Sequence, residues 1–339
     1  MYKKIVSPFL FLFDPESVHN FTFILLKLSF KFPLTKYIVS FFLSLEDPKL
    51  EKQLFGLNFK NPVGVAAGLD KNAAHIREFS SFGFGFVEVG TITPEPQIGN
   101  PKKRLFRLEK DNAIINRMGF NNEGLEKILT RLKNNYDVII GGNIGKNKST
   151  PNAEAKLDYL KCFKKLYDYV DYFVINISSP NTPRLRELQT PNFLRDLFKD
   201  LNIERAKRKK YKPILIKISP DLEKNKIDEL LQIIKHCKID GIVATNTTVN
   251  FPKLVSKSKN ESGGLSGAPL QKKSNQIISY ISKKTDGKLP IIGVGGILSA
   301  KDAINKLRCG AHLVQLYTGI IYEGPGIAKK IKKQILKEI

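Results

Sequence analysis

Eight short apolar runs, spaced along the chain and separated by helix-length amphipathic or charged stretches, constrain this sequence more than any other feature. They occupy residues 63–66, 86–89, 138–141, 172–175, 214–218, 241–244, 291–294 and 313–316. Runs of four or five residues rich in Val, Ile and Phe, bounded by turn residues, read as buried strands. Strand alternating with helix implies βα units, a parallel sheet and right-handed crossovers. Eight such units predict an α/β fold of the (β/α)₈, TIM-barrel type. A doubly wound open sheet is the alternative, but no GxGxxG follows the first run and opens a helix. The 339 residues accommodate one barrel of about 250 residues and an appendage.

The appendage is expected over residues 1–45, with the barrel domain over 46–339. The early apolar run from Ile5 to Phe13 is interrupted by Pro8, ends at Asp14-Pro15 and carries no small-residue cleavage site. It is far short of the roughly 20 residues that span a bilayer. Val18, Phe21, Leu25, Leu28 and Phe32 then recur at spacings of three and four, which predicts a helix with Asp14 as N-cap and Pro15 at its first position. Phe23, Ile24, Leu26 and Phe30 widen its apolar face, and Tyr37, Ile38, Phe41, Phe42 and Leu45 mark a second short helix. Lys27, Lys31 and Lys36 flank these faces, as in helices lying in a membrane interface. Helices packed on a neighbouring domain fit the same pattern. A second irregularity is the stretch 91–136, too long for one loop and helix and placed over a barrel mouth, where long loops carry function.

Lys and Arg exceed Asp and Glu by 24 charges, which favours anionic partners such as acidic lipid, phosphorylated ligands or nucleic acid. Most of these lysines read as solvated surface. Cys162, Cys237 and Cys309 are far apart and form no CxxC, and His19, His75, His236 and His312 are equally scattered. Neither a disulfide framework nor a metal site is expected.

In a barrel of this kind the active site lies at the carboxyl ends of the strands. Polar or glycine residues follow all eight runs: Asp70 and Lys71, Thr91, Asn143, Asn176 to Ser179, Ser219, Thr245 to Thr248, Gly295 and Gly296, and Tyr317 with Thr318. Lys217 interrupts an otherwise apolar run and is expected to point into the mouth; a salt bridge under the loops is the other reading. Gly293, Gly295 and Gly296, with Ser299 positioned to cap the next helix, suggest a phosphate held at the last two strands. After the fourth run, Asn176-Ile177-Ser178-Ser179-Pro180-Asn181-Thr182-Pro183 crowds small hydroxyls and amides into a proline-shaped loop, suited to reading a flat polar ligand.

That loop resembles the catalytic loop of the dihydroorotate dehydrogenases. Further matching stretches lie at residues 56–62, 66–71, 116–122, 143–147, 244–248, 263–267 and 292–297, so the resemblance extends from about residue 14 to the last residue. It implies FMN held by Ala67, Gly68, Leu69, Asp70, Lys71, Thr91, Asn143, Asn176, Lys217, Thr245, Gly267, Gly296, Tyr317 and Thr318. It implies dihydroorotate, or its product orotate, held by Lys71, Asn116, Arg117, Met118, Gly119, Phe120, Asn176, Asn181, Asn246 and Thr247. Orotate is planar, with amide edges and one carboxylate, which asparagines and a lysine suit. Ser179 is the implied base at C5, with a hydride leaving C6 for the flavin, and Lys217 the implied cation beside the flavin. Thr182 and Phe120 would wall the proton exit. Serine rather than cysteine at position 179 marks the family's membrane-associated, quinone-linked class, and His19 and Arg107 match positions near the quinone head group. A peripheral protein on the cytoplasmic face of a bacterial inner membrane is expected, touching anionic lipid and no nucleic acid. The competing readings are the soluble class of the same family, which uses fumarate or NAD, and a basic RNA- or membrane-binding barrel protein.

Overall fold

The computed structural model describes residues 2–338. Each of the eight apolar runs is a barrel strand: β1 Val63–Val65, β2 Phe86–Ile92, β3 Ile139–Ile144, β4 Tyr172–Asn176, β5 Ile214–Ile218, β6 Gly241–Ala244, β7 Ile291–Val294 and β8 Leu313–Leu316. All pair in parallel with their sequence neighbours, and β8 closes on β1 through the Val314–Val63 and Leu316–Val65 registers. The fold is therefore the closed (β/α)₈ barrel rather than an open sheet. Two strands run further than their apolar cores suggest. β2 continues through Gly90 and Thr91, with a register shift against β3 between Val89 and Ile92, and β3 continues through Asn143. Both strands thus carry polar residues inside the barrel, where the neighbouring strand satisfies the backbone and other side chains must satisfy the polar tips.

The barrel interior is filled by Phe86, Tyr172, Val174, Leu215, Val243, Ile292 and Leu313. Its amino end is plugged by a hairpin, Lys52–Leu54 paired with Leu57–Phe59, whose Phe59 is fully buried and meets Phe86 edge-on at 5.3 Å. Burying a ring of this size contributes roughly 1.5–3 kcal/mol. At the carboxyl end, the long stretch after β2 supplies two strands, Leu105–Leu108 and Ala113–Asn116. They form an antiparallel sheet with Gly264–Gly267 from the segment after β6. A helix, Leu125–Leu132, then leads back to β3.

The N-terminal residues form a turn over Tyr2–Val6, a short helix Ser7–Phe11, and two longer helices, α1 Pro15–Ser29 and α2 Pro33–Leu43. Asp14 caps α1 by accepting from the Ser17 amide at 2.9 Å, with Pro15 at its first position. The reading of helices packed on a neighbouring domain holds for one face of this segment. The inner face packs on the barrel: Phe23 lies against Phe79 and His75, and Phe30 against Phe82. The outer face is bare: Phe21, Ile24, Leu25, Leu28, Phe32, Leu34, Tyr37 and Phe41 are all at least half exposed. Fourteen of the twenty exposed large hydrophobic residues among those described fall between Ile5 and Phe42, so this apolar surface is a patch rather than scatter. No described helix is long and apolar enough to cross a membrane. Polar contacts fasten the segment to the far end of the chain: Tyr2 Oη donates to the Ile321 carbonyl at 2.7 Å, Lys3 pairs with Glu323, and Lys329 Nζ donates to the Phe42 carbonyl.

Candidate active site

The carboxyl ends of the strands surround an open cleft of about 1000 Å³, its solvent-open part included. β4 presents Asn176 at its last position, and the loop that follows carries Ser179, which is 6% exposed. The two prolines shape this loop, and its polar atoms set its depth. The Ser179 hydroxyl accepts only from the Asn181 amide, at 3.3 Å. Ser178 is buried behind it, donating to Asn176 Oδ1 and accepting from Asn246 Nδ2 at 3.0 Å. Thr182 Oγ1 is buried without a partner. Arg186 secures the loop from outside, donating to the Ser178 carbonyl, the Thr247 carbonyl and Asp221. Asp221 in turn accepts from Thr248, Val249 and Lys273, and these contacts hold its carboxyl below the usual range against the opposing effect of its own burial.

Two ammonium groups face the cavity with their donors unspent. Neither Lys71 nor Lys217 makes a side-chain hydrogen bond among the described residues. Burial pushes Lys71 down to about 8, with the Glu16 charge opposing that shift and Arg104 adding to it. Burial also lowers Lys217, against the pull of Glu88, whose Oε1 lies 4.0 Å from its Nζ. Behind the wall, Asn143 Oδ1 accepts from Thr91 at 2.6 Å and from Asn176 at 3.1 Å, while its Nδ2 donates to Glu88 at 2.7 Å. At the mouth of β7, the amides of Gly295, Gly296 and Ile297 donate to no acceptor among the described residues and line the same cavity.

The family model described as dihydroorotate dehydrogenase matches residues 49–339. The chain belongs to the dihydroorotate dehydrogenase family. It is 56% identical to the protein named dihydroorotate dehydrogenase (quinone) of Christiangramia forsetii, over 100% of this chain and 99% of that one. The corresponding figure for Idiomarina loihiensis is 47%, over 97% of this chain and 98% of the relative. Among solved structures, ligand-free DHODH from Eimeria tenella superposes with a TM-score of 0.88 at 40% identity, over 96% of this chain and 94% of that one.

Most of the residues singled out by the family resemblance meet in this cavity. Ala67, Gly68, Lys71, Thr91, Asn176, Lys217, Thr245, Gly267, Gly296, Tyr317 and Thr318 line it, as do Asn116, Met118, Gly119, Phe120, Ser179, Asn181, Asn246 and Thr247. Four do not. Leu69 packs into the core outside the barrel. Asp70 is buried and accepts from the Ala74 and His75 amides, shaping the loop after β1. Asn143 lies beneath the lining, because β3 runs past it. Arg117 turns outward to Glu261 at 2.7 Å and stacks on Phe106, so within a family ligand set it could offer only its backbone.

The glycines at the last two mouths have a different rationale from close approach of a ligand. A Cβ on Gly293 would strike the buried Lys306 stem and Ala311, and one on Gly296 would strike the backbone of Gln271. Their smallness serves packing, and the positive φ of Gly295 and Gly296 turns the loop that frees the amides. Ser299 does cap the next helix, Ala300–Arg308.

Of the two quinone candidates, His19 sits in a groove between α1 and the loop after β1, 4.3 Å from the Phe23 ring. Burial, then the Lys71 and His75 charges, push it down to about 3, so its imidazole is neutral. That groove shares Lys71 and Met118 with the cavity. Arg107 is engaged elsewhere, donating to the carbonyls of Leu10, Phe11 and Phe13 and stacked 4.5 Å over the Phe11 ring. Glu88 and Gln315 were not anticipated. The signal for both was the one that found Lys217: a polar residue inside an apolar barrel strand.

Proposed function

We infer that the chain oxidises dihydroorotate to orotate, a step of pyrimidine synthesis, and passes the electrons to a membrane quinone. The observation that carries this is the meeting, in one cavity, of a nearly buried serine hydroxyl, an unpaired lysine and a set of asparagine amides. FMN is the prosthetic group these residues fit. The fit rests on the free amides at the β7 mouth, which suit a phosphate, on the Lys217 ammonium, and on Gln315 Oε1, buried in the cavity wall without a partner. When bound, this group supplies two-electron acceptance from the substrate and delivery to the quinone.

The protein's own part is binding and proton transfer. Lys71 pairs with the substrate carboxylate, and Asn116, Asn181, Asn246 and Thr247 read the amide edges. Ser179 takes the C5 proton. A serine hydroxyl is a weak base, so enclosure and fixed dipoles must lower the barrier. Thr182, unpartnered beside it, and Phe120 bound the route by which the proton leaves. Lys217, braced by the polar residues behind it, would hold the cofactor ring. The bare outer face of α1 and α2, flanked by Lys27, Lys31 and Lys36, suits docking on anionic lipid at the cytoplasmic face of the membrane. The groove under α1, with the neutral His19 in it, is the passage for the quinone head. Arg107 acts there by fastening residues 10–13 rather than by meeting the ligand.

The test offers dihydroorotate anaerobically, then a long-chain quinone, fumarate or NAD. Dihydroorotate should bleach the flavin absorbance, and the quinone alone should restore it. A variant with Phe21, Leu25 and Leu28 changed to Gln should keep the first step while losing liposome binding and most of the reoxidation rate. It is a cleaner probe than deleting the helices, because their inner face covers the barrel. Failure to bleach removes the substrate assignment. Equal reoxidation by fumarate or NAD removes the quinone.

A further inference from the structure

We propose that Glu88 is a positioning residue: its carboxylate, sealed beneath the cavity floor, keeps the Lys217 ammonium charged and aimed at the cofactor. The inference rests on the FMN reading above. Glu88 stands in the middle of β2 with none of its side chain exposed. Three strands converge on it. Asn143 of β3 donates to Oε1 at 2.7 Å, Gln315 of β8 donates to Oε2 at 2.6 Å, and Lys217 of β5 stands 4.0 Å from Oε1.

The two amides make hydrogen bonds, whereas the ammonium is held by charge alone, because 4.0 Å exceeds hydrogen-bond reach. A carboxylate so deeply buried demands a compensating charge, and Lys217 is the only cation within ion-pair distance of it among the described residues. Because amides occupy the carboxylate oxygens, the lysine supplies that charge without spending its three N–H donors. They remain available to a ligand in the cavity. A direct salt bridge would have consumed at least one of them. The Asn143 amide is itself fixed, since its Oδ1 accepts from Thr91 and Asn176, both on the cavity wall.

The other titratable groups near this pair leave the assignment intact. Tyr172 of β4 lies beside the carboxylate, with its own proton held more tightly than usual by burial and by Glu88. Lys71 is the second ammonium of the cavity, on the loop after β1. Glu88 alone opposes the loss of the Lys217 proton that burial favours. Replacing the carboxylate by an amide should therefore let that loss occur at a lower pH than in wild type.

The test measures the midpoint potential of the bound flavin against pH, with FMN affinity as a second reading, in wild type, Glu88→Gln and Glu88→Gln/Lys217→Met. Glu88→Gln should show a break, owed to Lys217, at a pH where wild type shows none. Above the break, the reduced-to-oxidised ratio at fixed potential should fall about tenfold beyond the common slope, ~30 mV for a two-electron couple. The double variant should lack that break. A wild-type profile in Glu88→Gln, or the same break without Lys217, overturns the proposal. If Glu88→Gln does not fold, the double variant decides, because it leaves no lone charge in the barrel. Its recovery as a folded flavoprotein supports the pairing, and its failure means that Glu88 serves the barrel instead. Wild-type protein that binds no flavin would overturn the cofactor reading itself, a result distinct from a flavin whose potential ignores Glu88.

Discussion

Lys71 and Lys217 are the same residue type at the same cavity, yet their surroundings differ. Lys217 has a buried counter-charge; Lys71 has Glu16 and Arg104 at longer range, and burial lowers it to about 8. A pH dependence follows for Lys71. The ammonium pairs with a carboxylate only when protonated, so orotate affinity should be flat below about pH 8. Above it, affinity should fall by up to about tenfold per pH unit, one proton being taken up on binding. Titrating the flavin absorbance with orotate from pH 6 to 10 checks this, and a flat profile to pH 10 would free Lys71 from the carboxylate. At this scale the sequence was readable wherever a polar residue broke an apolar strand or crowded a strand end. It was unreadable where direction mattered. Nothing in residues 116–120 told that Arg117 turns outward while Asn116 and Met118 face the cavity, because a loop has no period.

Among elements, α1 is tied to the substrate loop by a chain of side chains. Glu16, in its first turn, receives two hydrogen bonds from Arg104, at 2.7 and 3.1 Å, with both side chains nearly buried. Arg104 also donates to the Ile98 and Asn100 carbonyls, and Asn100 donates to the Asn181 carbonyl at 3.0 Å. Removing one member of a buried ion pair strands the other, at a cost of about 3–5 kcal/mol. Arg104→Ala should lower stability by that order in urea unfolding and weaken orotate binding as well. A loss confined to stability would mean that the chain of contacts ends at Asn100. The eight strands, the cap at Asp14 and both N-terminal helices were legible, since each rests on local periodicity. The hairpin at residues 52–59 was not, because strands of three mixed residues carry no pattern. Nor was the sheet over the mouth, whose third strand, Gly264–Gly267, reads as a glycine loop and pairs with residues about 150 positions away.

For the whole molecule, buried lysines set the response to pH. Lys306 donates to Ser274 and Asn275 with burial pushing it down to about 7, and Lys332 donates to the Gly83 carbonyl with burial pushing it to about 8. Unfolded lysine titrates near 10.4, so between about pH 7 and 10 the unfolded chain binds more protons and stability rises with pH. Tyr159, Tyr172 and Tyr322 have raised values, mainly through burial, so their contribution is lost once pH passes the unfolded value near 10. The melting temperature should therefore rise from pH 7 to a maximum near pH 9–10 and then fall; a maximum at or below pH 7 would contradict this balance. The fastening of the first residues has another consequence, which lies in time. Tyr2 is held by the Ile321 carbonyl, 319 residues downstream. At roughly 5–20 residues per second a ribosome needs about 15–60 s to make that stretch. The two longer helices meet their partners at residues 75–104 early in synthesis, whereas Tyr2 waits, unfastened, until the last helices of the barrel have been made.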